Sequence, residues 1–408
     1  MKSIRYGSRV LEKVLDREGS RSIRLVDKVS RIINDVRTTG DAGLIKYARK
    51  FDKVKLTPKD LVASEDEING CYQDIKPEFT RALKVAVENV RRFYKRKIKR
   101  NIKIRTDDGT HLSEKIRPLD RVGVYVPAGT APLISTVYMT VIPAQCAGVE
   151  NIYLVTPPNQ HKSVDPHILA TANLLKVKAI YKAGGAQAIA AMAFGTKTIP
   201  QMDKIVGPGN QYVAEAKRQV FGYCDIDMIA GPTELVILAN DSVSLDYIAA
   251  DMMAQSEHLN GTSILITSSK KLHEAVKRLQ IPGFVIKVKN MNQGVDLVNR
   301  IAPEHLQIMV KRPERILQNV RNAGAVFLGP YSPTAIGDYI AGPSHVLPTH
   351  GSARFFSGLS VDDFLRTTHV ISYTRRGLER VRQSAEYIAE MEGLNHHKKS
   401  ISIRFEDK

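Results

Sequence analysis

Cysteine is scarce in this 408-residue chain: Cys71, Cys146 and Cys224 stand far apart, and no two have Cys-x-x-Cys spacing. A thiolate zinc site and a disulfide framework are therefore not expected, and a reducing compartment fits. Long apolar runs are missing too. The most apolar stretch, Leu133 to Val149, is broken by Ser135, Thr136, Thr140, Pro143 and Gln145, which makes it too short and too polar to span a bilayer. Residues Met1 to Val14 carry charges throughout and hold no apolar core of signal-peptide length. There is no low-complexity segment, no short-period repeat and no complete Gly-x-Gly-x-x-Gly fingerprint. The expectation is a soluble cytoplasmic protein with no membrane partner.

What is present suits ordinary buried cores. Hydrophobic residues make up 43% and charged residues 25%, and the length allows two or three domains. The net charge of +18 is less ordinary. It is read as solubilising surface rather than as a specific anionic partner. The densest basic run is Arg91 to Arg105, where nine of fifteen residues are Lys or Arg. Phe93 and Tyr94 could stack on bases there. No nucleic-acid module surrounds them, so the favoured reading is a solvated helix end leading to a strand, with Ile98, Ile102 and Ile104 packed inward.

Hydrophobic spacing organises the rest. Leu25, Val26, Val29, Ile32, Ile33 and Val36 recur at helical intervals, with Gly40 to end that helix and Asp41 to cap the next. A further helix is expected over Glu78 to Tyr94. From about residue 121 short apolar runs alternate with helical ones. Val122 to Val126, Ile152 to Val155, Ala179 to Tyr181 and Lys204 to Val206 read as strands. Helices are expected after Asp165-Pro166, from Gly185 to Phe194 and from about Gln211. The same grammar returns at Leu235 to Leu238, Ser263 to Thr267 and Val326 to Leu328. Such alternation predicts an α/β chain with mostly parallel sheets, led by helices and closed by a polar tail.

Five clusters could carry chemistry. Gly184-Gly185 and Gly207-Pro208-Gly209-Asn210 follow strands, where glycine admits close backbone approach and a helix start favours an anion. A plain structural turn explains them equally well. Gln255 and His258, three apart at the end of a helix, could face one metal ion; a polar helix end is the alternative. In Ala302-Pro303-Glu304-His305, the proline would set a first helical turn. The carboxylate and imidazole would supply two proton-transfer groups, or only a charged helix start. Asp338, in Gly337-Asp338-Tyr339, and His345 fall in a loop-rich segment, the kind of place where functional residues often sit, though a polar surface turn explains them equally well. Glu392 to Lys398 holds a histidine pair in the tail, which by itself is usually just solvated polar surface.

Wording and order together are more specific. The segments are Val122-Gly-Val-Tyr-Val-Pro-Ala-Gly129, Gly184-Gly-Ala-Gln-Ala-Ile-Ala190, Lys204-Ile-Val-Gly-Pro-Gly-Asn210 and Ile226-Asp-Met-Ile-Ala-Gly-Pro-Thr-Glu234. They continue through Gln255 to His258, Pro303-Glu-His-Leu306, Gly337 to Tyr339, His345-Val-Leu-Pro-Thr349 and Glu392-Gly-Leu-Asn-His-His397. In this order they resemble the histidinol dehydrogenase family from about residue 120 to the end; the helical first third is compatible but less diagnostic. Departures are small: the family often has Gly-Gly at Ala128-Gly129, and Ser at Thr233.

The resemblance implies two successive NAD-dependent oxidations of L-histidinol to L-histidine with one zinc ion per subunit. Gln255, His258, Asp338 and His397 would bind zinc, the last from a partner's tail in a homodimer with shared active sites. Glu304 and His305 would be the acid–base pair. Tyr125, Gln187 and Asn210 would contact NAD. Thr233, His345 and Glu392 would touch the substrate, together with the zinc-site residues and His305. The implied fold has two incomplete Rossmann-like parallel-sheet domains with a helical N-terminal lead and a small C-terminal tail domain. Expected boundaries are 1–15 for an arm, 16–122 with 235–360 for a first domain, 123–234 for an NAD-contacting domain, and 361–408 for a tail crossing to the partner. Two rival readings stand beside it: a metal-dependent hydrolase using the same site, and a nucleic-acid binder using residues 91–105.

Overall fold

A computed structural model describes residues 1–15, 22–97, 102–128, 132–258 and 260–406. Ile98 and Gly129, both used in the sequence reading, lie outside the described residues. The chain divides into two compact units, one of Met1–Ile98 with Leu119–Phe364 and one of Lys99–Pro118 with Leu365–Lys408.

The first unit contains two wholly parallel sheets. One has five strands in the order Ala179–Lys182, Asn151–Thr156, Arg121–Tyr125, Lys204–Val206, Asp225–Ile226. The earliest strand lies in the middle, so the order reverses between Arg121–Tyr125 and Lys204–Val206. That reversal is the switch point at which open α/β sheets commonly bind ligands. Helices Gly185–Phe194 and Gln211–Val220 share a core with the N-terminal lead: Val29, Ile32, Ile33 and Val36 of helix Ile23–Thr39 pack with Ala186, Ile189, Ala190 and Val213. The period-3.6 stripe in the lead thus predicts both its helix and the face it buries.

The other sheet runs Lys2–Arg5, Phe284–Lys287, Thr262–Thr267, Glu234–Ala239, His305–Met309, Ala325–Leu328. Its central strands are covered on both faces. Val236 and Leu238 join one core with Leu297 and Val298, while Leu235 and Ile237 join another with Ile248 and Met252. This explains their unbroken apolar runs. The second unit holds an antiparallel sheet ordered Leu365–Ser372, His111–Pro118, Lys103–Arg105, with helices Arg375–Met391 and Asn395–Ser402. Among the described residues, no helix is long and apolar enough to cross a membrane.

The α/β class and the Rossmann-like parallel sheets match the expectation, and several details correct it. Asp41 begins helix Asp41–Tyr47 without capping it; its carboxylate accepts from the hydroxyl of Thr198 at 2.7 Å. Ile102 and Ile104 do not pack inward: both are more than half exposed. Tyr94 cannot stack on a base, because it is buried and donates its hydroxyl to the carbonyl of Leu359. The segment at Asp338 is a short helix, Thr334–Tyr339, rather than a loop. His305 opens a strand, not a helix. Helix Met291–Ile301 ends on Ala302, which is left-handed at φ 48°; Pro303 has no N–H with which to continue the helix, and the chain then enters the sheet.

Candidate active site

Because Glu304 and His305 stand where strand His305–Met309 begins, beside the start of strand Glu234–Ala239, they meet at the N-terminal edge of the six-stranded sheet. Both are buried. Glu304 Oε2 accepts the backbone N–H of Glu234 at 2.9 Å and lies 3.5 Å from His305 Nδ1. The Nδ1 atom is also 3.2 Å from the carbonyl of Glu234. That carbonyl can only accept, so Nδ1 carries the proton in this contact and Nε2 is left with the lone pair of the neutral ring. Nε2 faces Asp338 Oδ1 at 3.7 Å.

Thr233 connects this pair to the helix before it. Its hydroxyl oxygen accepts from Gln255 Nε2 at 3.3 Å, and its hydroxyl hydrogen-bonds the Glu304 carboxylate. Gln255 lies in the last turn of helix Leu245–Ser256, buried, with its amide nitrogen committed to Thr233. His258 follows the helix and is exposed. Across the site, His345 Nδ1 meets the carbonyl of Asp338 at 3.0 Å, and its Nε2 is 3.5 Å from Thr136 Oγ1. Tyr138 donates to the carbonyl of Tyr339 at 2.7 Å, which fixes the short helix that presents Asp338. Thr136, Tyr138 and the Glu234 backbone were not foreseen: a helix residue or a peptide group serving as a bracket leaves no mark in residue type.

The electrostatics follow from burial and from one another. Burial raises the Glu304 carboxyl, and the neighbouring imidazole only partly offsets this. Burial works against a charged His305, but Glu304 and Asp338 outweigh it and the ring becomes more basic. Burial also acts on Asp338, yet His305, His345 and His258 hold it below the usual carboxylate range. His345 is pushed down by its burial.

Tyr125, Gln187 and Asn210 lie elsewhere, at the C-terminal end of the five-stranded sheet. Tyr125 is buried and its hydroxyl accepts the N–H of Gly185 at 3.0 Å. Gln187 is buried in the first turn of helix Gly185–Phe194. Asn210 caps helix Gln211–Val220 by accepting the N–H groups of Tyr212 and Val213 at 2.9 and 3.2 Å. The glycine turn before it is pinned by a buried ion pair that sequence reasoning missed. Lys217 donates to Asp227 and, at 2.9 Å, to the carbonyl of Gly207, whose N–H donates to Asp227 at 2.7 Å. Gly207 has φ 114°, and a Cβ there would strike the carbonyl oxygen of Tyr125, so this position requires glycine. A cavity lined by Arg121, Asp203, Phe221 and Asp225 opens at the opposite end of the same strands, away from these residues.

Glu392 and His397 belong to the second unit and are exposed there. Among the described residues, no group of three or more His, Cys, Asp or Glu side chains is placed to hold a metal ion. The expected zinc set leaves only His258 and Asp338 of those types in the first unit.

The comparisons with known proteins agree over nearly the whole length. The histidinol dehydrogenase family model matches residues 15–405. A histidinol dehydrogenase of Clostridium acetobutylicum is 42% identical, covering 98% of this chain and 96% of that protein. One from Halalkalibacterium halodurans is 44% identical, covering 93% of each. A crystal structure of histidinol dehydrogenase from Elizabethkingia anophelis superposes with a TM-score of 0.91 at 35% identity, covering 99% of this chain and 98% of that one.

Proposed function

The chain belongs to the histidinol dehydrogenase family, the NAD-dependent oxidoreductases of histidine biosynthesis, and from that premise we propose which of its residues carry the two oxidations of L-histidinol to L-histidine. The observation that supports the assignment best is the buried Glu304–His305 pair joined through Thr233 to Gln255. When bound, NAD would supply the hydride acceptor for each oxidation, and zinc would supply a cation that anchors the substrate.

His305 accepts the alcohol proton at Nε2, the nitrogen left free by the Glu234 carbonyl. Its raised basicity favours that transfer. Glu304 takes a proton from the water that adds to the aldehyde, and His305 moves protons again in the second oxidation. Burial of both side chains keeps the aldehyde's surroundings dry. Asp338 and Glu392 supply negative charge for the amine, and Thr233 and His345 border the substrate.

The donor set fits zinc. Gln255, with its nitrogen held by Thr233, can offer its oxygen; His258, Asp338 and His397 offer two imidazoles and a carboxylate. Tyr125, Gln187 and Asn210 would line the NAD crevice within residues 123–234. The His397 tail would come from a second copy in a homodimer, with residues 361–408 crossing between subunits. Supporting this, Tyr387, Ile388 and Met391 on helix Arg375–Met391 leave a row of large apolar side chains about 60% exposed. A cytoplasmic biosynthetic role accords with all of this.

The test is metal stripping. Chelator-treated protein should form no NADH from L-histidinol, and zinc should restore it. Full activity in protein shown to be metal-free would remove zinc from the account.

A further inference from the structure

Asp52 ends the π-turn Ala48–Asp52 of the N-terminal lead, and Lys53, at φ 60°, turns the chain away. The carbonyl of Asp52 accepts from Gln160 Nε2 at 3.1 Å. Its carboxylate reaches the first glycine turn: Oδ1 lies 3.2 Å from where a Cβ on Gly184 would stand, beside the ring of Pro157. Oδ2 is buried and has no hydrogen-bond partner among the described residues, although the residue as a whole is only half-buried. The charge of Asp52 also acts on the Tyr125 hydroxyl. Asp52 therefore belongs to the C-terminal ends of strands Arg121–Tyr125, Asn151–Thr156 and Ala179–Lys182.

Other buried or half-buried acids in this unit are supplied with donors. Glu67 has Lys182, Ser163 and the N–H of Val164; Asp227 has Lys217 and two backbone N–H groups. A carboxylate withdrawn from water without donors is costly, so one retained at a ligand-binding edge points to donors arriving with a ligand. Dinucleotide-binding sheets of this order carry an acid near the end of the second strand, where it accepts ribose hydroxyls. Here that strand ends in Thr156-Pro157-Pro158, which has no acid, and Asp52 stands beside Pro157 instead.

We propose that Asp52, delivered by the N-terminal lead, accepts the adenosine ribose hydroxyls of NAD and disfavours the extra phosphate of NADP. This rests on the NAD-dependent reading above. The crevice is then completed by a segment distant in sequence from the sheet it serves.

The experiment titrates NADH and NADPH, followed by nicotinamide fluorescence, against the full-length zinc-loaded protein and its Asp52→Asn and Asp52→Ala variants. Calorimetric binding of L-histidinol to each reports whether the fold is intact. The expected result is NADH affinity weakened about tenfold or more in both variants. NADPH affinity should be unchanged or improved, and L-histidinol affinity unchanged. Unaltered NADH affinity overturns the proposal. So does equal weakening of both dinucleotides, or joint loss of L-histidinol binding, since each marks a structural role. Failure of the wild-type protein to bind NADH would sink the NAD-dependent reading itself, whereas binding that the variants do not change removes only the role of Asp52.

Discussion

Glu304 and His305 are neighbours in sequence whose side chains turn back on each other, Oε2 to Nδ1 at 3.5 Å, over the backbone of one residue: the N–H of Glu234 donates to the carboxylate and its carbonyl faces the ring. The two backbone groups of Glu234 thus orient both side chains.

This arrangement assigns the two oxidations different needs. In Glu304→Gln the side chain keeps its size, and its oxygen can still accept the Glu234 N–H, but it can no longer take a proton. Oxidation of the aldehyde should fall by about a hundredfold or more, the usual scale for a lost general base, with a smaller effect on the alcohol step. Following the two NADH-forming steps separately checks this. Equal losses in both would show that Glu304 does not activate water.

Lys217 and Asp227 predict a stability effect far from the proton-transfer pair. Both side chains are essentially buried. Lys217→Met leaves a charged Asp227 with only backbone donors, and should cost about 3–5 kcal/mol in urea unfolding. It should also raise KM for NAD, because the Gly207 turn loses its bracket. A variant as stable as wild type would contradict the role given to the pair.

Asp52 gives a pH signature. Burial pushes its carboxyl up to about 6 from an ordinary 3.8. A carboxyl with a higher folded than unfolded pKa favours folding in its protonated form. That contribution is complete below about pH 4 and is lost as pH rises through about 6. Asp52→Asn, measured without dinucleotide, should therefore be more stable than wild type at pH 8, by up to roughly 3 kcal/mol. The gap should close below pH 4. Thermal unfolding across this range is the measurement, and a gap independent of pH would contradict it.

The proposed sharing of the site between two subunits is open to a complementation test. His397→Ala and Glu304→Gln should each suppress formation of L-histidine, the activity followed, but a mixed dimer would hold one site with an intact body and an intact tail. Subunit exchange at equal ratio should restore about a quarter of wild-type activity. No recovery after verified exchange would place His397 in the site of its own chain.

Much of this was legible in the residues. The strands from Val122 to Val206 announced themselves because both faces are buried and apolar runs need no alternation. The stripe from Val29 to Val36 marked a face that does bury. Glu304 and His305 stood out as residue types, yet their setting was misread, since Pro303 suits a helix start as well as an extended entry into a strand. Strands Lys2–Arg5 and Phe284–Lys287 went unseen because they are short, and their pairing joins segments about 280 residues apart. Lys217 and Asp227 were hidden because a lysine or aspartate in a polar stretch looks like surface, although they pair only ten residues apart; Asp52 was hidden because its setting comes from packing against segments distant in sequence.

The most direct test is stoichiometry. With limiting L-histidinol, excess NAD and zinc-loaded protein, the reaction should release two NADH for each L-histidinol consumed, with L-histidine recovered in equal amount. One NADH with accumulation of free aldehyde would contradict a single site that carries both oxidations, and no NADH at all would contradict the activity itself.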